Sequence, residues 1–112
     1  FYSYPMVNAG VFALHKDAPH WEVWAECIDR AIQNFVCTMT DQIALNFSLY
    51  NCELFDQTEM LPAWCNWTCH FGLPAWDKEK NCFVEPFLPH TPIGIIHLTG
   101  EKCDQVDLVT TD

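Results

Sequence analysis

Residues 92–100 read PIGIIHLTG, an apolar run that reaches His97 and breaks at Gly100. An imidazole there has two uses. It caps a core strand by bonding a backbone carbonyl, or it offers a nitrogen to a ligand at the rim of a sheet. Imidazole and carboxylate both suit Mn²⁺. Residues 40–46, TDQIALN, set Asp41 and Gln42 at the start of a helical pattern. An ionised Asp41 only accepts hydrogen bonds, so it either holds hydroxyl groups or serves as a dipole-favourable acid in a first turn. Asn8-Ala9-Gly10 interrupts the apolar stretch 5–14. A glycine in a strand pattern marks a bulge or a close approach of backbone to a ligand. Cys65 and Cys69 stand at zinc-like spacing, with Cys82 and His90 further on and His70 a further possible ligand.

These residues need elements to position them. Residues 5–14, PMVNAGVFAL, read as a buried strand. Asp17-Ala-Pro opens a helix with Asp17 as N-cap, and Trp21, Trp24, Ala25, Ile28, Ile32 and Phe35 fall on one helical face. Thr40 caps a second helix over residues 41–51. Residues 51–61 are irregular, with a short strand near Leu54. Residues 61–92 are rich in Trp, Pro and Cys without a clear period, which marks a functional or wrapping segment. Trp64, Trp67 and Trp76 within it serve either as packing or as stacking surfaces for a sugar. Residues 93–98 form the last strand, and the tail is polar. Alternating strand and helix points to an α/β arrangement.

Three stretches carry a resemblance: Asn8-Ala9-Gly10-Val11-Phe12, Asp41-Gln42-Ile43-Ala44-Leu45-Asn46, and Ile95-Ile96-His97-Leu98-Thr99-Gly100. With LPAWCN at residues 61–66, they resemble, in order, the C-terminal half of the family 8 retaining nucleotide-sugar glycosyltransferases. That group includes glycogenin and the bacterial galactosyltransferases. The resemblance spans about residues 5–102. It implies a partial GT-A fold, a strand-helix-helix-strand fragment, in which the whole chain 1–112 is one domain or the distal half of one. It implies that Asp41 holds the donor sugar, that Gln42 lies near the anomeric carbon, and that Asn8, Ala9 and Gly10 line the donor pocket. Gly100 would let the backbone approach the phosphates, and Lys102 would meet them unless it is a surface lysine. His97 would join two aspartates in binding Mn²⁺ or Mg²⁺. The family's Asp-x-Asp motif is absent from this sequence. The nucleotide-binding half is therefore expected N-terminal to Phe1, and the 112-residue chain alone is expected to be inactive.

Composition bounds the partners. Half the residues are apolar, so a core is available, and no apolar run reaches the roughly 18–20 residues of a membrane span. The net charge of −10, with only five Lys and Arg, argues against nucleic acid and anionic membranes. The expected partners are a nucleotide-sugar donor and an unidentified acceptor, with self-association or packing against another polypeptide. Seven cysteines leave one unpaired within the chain. Two glycosylation sequons, at Asn46 and Asn66, leave the cytoplasm and the secretory lumen both open. A different class of reading makes the chain a non-catalytic interaction module held by a Cys/His zinc site.

Overall fold

The computed structural model of the chain describes residues 5–34, 38–98 and 109–110. The fold is mixed α/β, two helices followed by small sheets, and it divides into two compact units, Phe1–Met60 and Leu61–Asp112.

The first unit is built on helices α1 (His20–Asn34) and α2 (Thr40–Asn51). Helix α1 begins later than the Asp-Ala-Pro signal suggests. A turn precedes it, closed by the Ala18 N–H donating to the His15 carbonyl at 3.0 Å, and Asp17 sits in that turn. The Pro19 carbonyl then accepts from the Val23 N–H. Of the expected apolar stripe, Trp24 is buried and Ile28 is partly buried, while Trp21, Ala25 and Ile32 are exposed and Phe35 lies outside the described residues. The inward face is set by Val23, Trp24, Cys27 and Ile28, at the i, i+3, i+4 spacing of a helix. Trp21 instead donates its indole N–H to the His15 carbonyl at 3.0 Å and meets Phe12 edge to face.

Helix α2 buries Ala44, Leu45, Ser48 and Leu49. With Trp24 and Leu54, the three apolar ones form the core of the unit. The buried Ser48 hydroxyl donates to the Leu45 carbonyl at 2.7 Å, which satisfies it locally. Met39, rather than Thr40, occupies the N-cap, and no side chain caps it. Leu54 is buried ahead of a 3₁₀ turn at Phe55–Gln57 and forms no strand.

The expected first strand is absent. Residues 5–14 form a turn and irregular backbone, which corrects the strand-helix-helix-strand order. An apolar stretch becomes a strand only when another strand accepts its backbone groups. Here side chains of α2 accept them, as described below.

Among its described residues the second unit holds five short strands: β1 (Trp67–Thr68), β2 (Ala75–Asp77), β3 (Cys82–Val84), β4 (Ile96–His97) and β5 (Val109–Thr110). Strands β1 and β4 run parallel, with Trp67 opposite Ile96 and Thr68 opposite His97. The other sheet has the order β3-β2-β5. Strands β2 and β3 are antiparallel, with Trp76 and Phe83 as a cross-strand pair, ring centroids 5.0 Å apart. The expected last strand shrinks to two residues, and the polar tail supplies strand β5. Val84 is fully buried, and Trp67 is buried with its indole N–H donating to the Gly72 carbonyl at 3.0 Å.

Candidate functional site

In the first unit, two amides of α2 grip the Asn-Ala-Gly segment. The Asn46 side chain reads the Val7 peptide from both sides. Its Oδ1 accepts from the Val7 N–H at 2.7 Å, and its Nδ2 donates to the Val7 carbonyl at 2.8 Å. One helical turn earlier, Gln42 Oε1 accepts from the Ala9 N–H at 3.1 Å. Asn46 Nδ2 also donates to the Gln42 carbonyl at 2.8 Å, which ties the grip to the helix. Between them Asn8 closes a local turn, its Oδ1 accepting from the Gly10 N–H at 2.7 Å.

Asp41 is exposed in the first turn of α2. Its backbone carbonyl accepts from Trp24 Nε1 at 2.9 Å, so a core tryptophan fixes the start of the helix. An anionic side chain there is favoured by the helix dipole and stays open to hydroxyl donors. Asn8, Ala9, Gly10, Asp41 and Gln42 are thus brought together around the N-terminal half of α2. In this arrangement the Gln42 carbonyl oxygen is engaged by backbone.

In the second unit, Asn66 immediately precedes β1, and His97 lies in β4. Asn66 Oδ1 and His97 Nδ1 are 3.0 Å apart. An amide oxygen only accepts, so Nδ1 is the donor, and in the neutral ring Nε2 keeps its lone pair. That is the tautomer required of a ligand or base through Nε2. The same two motifs are knitted through backbone. The Trp64 carbonyl accepts from the Gly94 and Ile95 N–H groups at 2.9 and 3.3 Å, and the Trp67 N–H donates to the Ile95 carbonyl at 2.9 Å. His97 is half-buried. Gly100 and Lys102 lie outside the described residues.

No three His, Cys, Asp or Glu side chains converge to hold a metal ion among the described residues. His97 accordingly belongs to no such group among the described residues. Cys65, Cys69, Cys82, His70 and His90, the zinc-like set, form no such group either. Cys65 and Cys82 form no disulfide, and His90 Nδ1 lies 2.9 Å from the Glu85 carbonyl. Clefts of about 460 Å³ beside Tyr50 and Phe55 and about 270 Å³ beside Cys27 and Phe47 do not include the nominated residues.

Sequence reasoning quoted Asn46 and Asn66 inside motifs and as glycosylation sequons, and gave neither a part in the site. Each proves to be the residue that holds a nominated group in place. The signal was an amide closing each motif, at Asn46 in DQIALN and at Asn66 in LPAWCN.

Comparison of the chain with models of known protein families, with curated proteins and with solved structures found no match.

Proposed function

We propose that the chain is the donor-sugar half of a metal-dependent GT-A glycosyltransferase, one that moves a sugar from a nucleoside diphosphate to an acceptor with retention. The observation that carries the reading is the Asn66–His97 pair. It joins two of the motifs on which the resemblance rests and leaves Nε2 of His97 available. His97 would be this chain's ligand to Mn²⁺ or Mg²⁺, with an Asp-x-Asp supplied by polypeptide N-terminal to Phe1. A bound cation would neutralise charge on the diphosphate leaving group. Asp41 would accept hydrogen bonds from donor-sugar hydroxyls. Gln42 and Asn46 would hold residues 7–10 as the wall of the sugar pocket. Exposed apolar side chains, Phe47 at 51%, Phe71 at 58% and Leu88 at 84%, support packing against another polypeptide.

The test uses the natural protein in which this sequence occurs. It should hydrolyse or transfer from a nucleotide-sugar in the presence of Mn²⁺. Asp41→Asn should lower turnover by orders of magnitude, while binding of the free nucleoside diphosphate stays unchanged. Full turnover in Asp41→Asn would leave Asp41 as a first-turn acid alone, and no activity with any nucleotide-sugar would remove the reading.

A further inference from the structure

The cleft of about 460 Å³ lies at the end of α2 and shares no residue with the proposed donor site. Leu49, Tyr50, Glu53, Phe55 and Asp56 line it. Its volume falls in the range of small-molecule sites, roughly 300–1,000 Å³. Helix α2 ends at Asn51, and Glu53 follows with φ of +59°, a left-handed conformation that costs energy for a residue with a side chain. Beyond it Leu54 enters the core, and Phe55 lies against Tyr50.

The two rings are stacked, with centroids 5.3 Å apart and 25° between their planes. Stacking occupies one face of each ring, and Phe55 remains 42% exposed. Tyr50 is held at its far end, where its hydroxyl donates to the Pro5 carbonyl at 2.6 Å. The aromatic wall is therefore set before a ligand arrives. Glu53 and Asp56 are exposed beside it, and among the described residues neither forms an ion pair with a cationic side chain. The surroundings have the same sign, since residues 1–60 hold eight Asp and Glu against two Lys and Arg.

We propose that this cleft binds a quaternary ammonium group, carried by a small free amine or by a trimethylated lysine. Aromatic faces attract a cation through the ring quadrupole. A primary ammonium is a compact and strongly hydrated charge, and it leaves water at a high cost. A quaternary ammonium has no N–H group to satisfy, and its methyl groups pack on ring carbon. The two carboxylates attract its charge without needing a hydrogen bond from it. An anion would be repelled by both, and a neutral apolar ligand would forgo both attractions.

The experiment titrates the full chain, at fixed ionic strength, with choline, with its neutral analogue in which carbon replaces the charged nitrogen, and with a glycine-flanked trimethyllysine peptide. Binding is read by NMR from the ligand methyl signal, which ring currents move upfield, and from the ring signals of Tyr50 and Phe55. Choline or the peptide should bind about tenfold more tightly than the neutral analogue. Phe55→Leu should reduce the upfield shift and weaken binding severalfold. Glu53→Gln combined with Asp56→Asn should weaken binding and flatten its dependence on salt. Tighter binding of the peptide than of choline assigns the site to trimethyllysine, and the reverse assigns it to a free amine. Equal binding of choline and its neutral analogue would leave an apolar cleft alone and overturn the proposal. So would an absence of binding by both cations, or binding that both variants leave unchanged. Circular dichroism checks that the variants fold, and the carboxamide pair, made at exposed side chains, decides the matter if Phe55→Leu does not.

Discussion

Asn66 and His97 stand 31 residues apart in the chain and meet side chain to side chain, Oδ1 to Nδ1, at 3.0 Å. The bond fixes which ring nitrogen carries the proton and how the ring is turned. Asn66→Ala removes the acceptor and frees both. In the complete polypeptide, this substitution should raise the Mn²⁺ concentration for half-maximal activity by about 10–100-fold, as loss of support for a metal ligand does elsewhere. His97→Ala should do at least as much, and the double variant should add little to it. An unchanged Mn²⁺ requirement in all three would make the pair a structural link between β1 and β4.

Asn46 makes three hydrogen bonds, two to Val7 and one to Gln42. Asn46→Ala should destabilise the first unit by about 1–3 kcal/mol, since the Val7 peptide loses both partners. Asn46→Asp should cost nearly as much, because a carboxylate cannot donate to the Val7 carbonyl. Chemical denaturation of the three proteins measures the difference, and equal stability of Asn46→Asp and wild type would mean that only the accepting half of the grip matters.

Gly72 has φ of +138°, and a Cβ built there would lie 3.2 Å from Pro86 Cγ and 3.4 Å from Phe87 Cζ. Backbone strain and crowding against a proline ring act together. Gly72→Ala should lower stability by about 1–3 kcal/mol in denaturant titration. A neutral result would show that the ring and backbone shift freely.

Asp77 ends β2 and accepts the Lys80 and Glu79 backbone N–H groups, each at 3.0 Å. The Lys80 N–H first of all, with the Glu79 N–H and the Lys80 charge, holds its carboxyl below the ordinary 3.8. The folded value lies below the unfolded one, so the fold favours the anion. Its contribution is fully present above the unfolded value and is lost as pH falls through the folded one. Asp77→Asn should therefore reduce stability at neutral pH and flatten the acid limb of a stability-versus-pH curve. A wild-type and a variant curve that run parallel down to strong acid would contradict this.

The two helices were legible from helical spacing and start signals, but their faces were not: of the expected stripe in α1 only Trp24 and Ile28 turn inward, beside Val23 and Cys27, and α2 buries Ala44, Leu45, Ser48 and Leu49. The strands were not legible. Two or three residues are too short to display a period, and β1 and β2 each take a parallel partner from far along the chain. Residues 5–14 misled for a different reason. Their composition is that of a strand, but amides on α2 satisfy the Val7 and Ala9 backbone in place of a neighbouring strand. Of the site, the residue types at 41, 42 and 97 were readable. The Asn66–His97 contact was not, because nothing in the sequence says that positions 66 and 97 share a sheet edge.

The grip on residues 7–10 has a consequence for how this segment tolerates change. Asn46 and Gln42 hold peptide groups, and a peptide group is the same whatever side chain it bears. The anchor is thus indifferent to the side chains it holds, and what constrains them is separate: Val7 and Ala9 pack against the core, and Asn8 closes the turn at Gly10. The anchor itself excludes one residue type at two positions. Proline at 7 or 9 would delete the N–H being held.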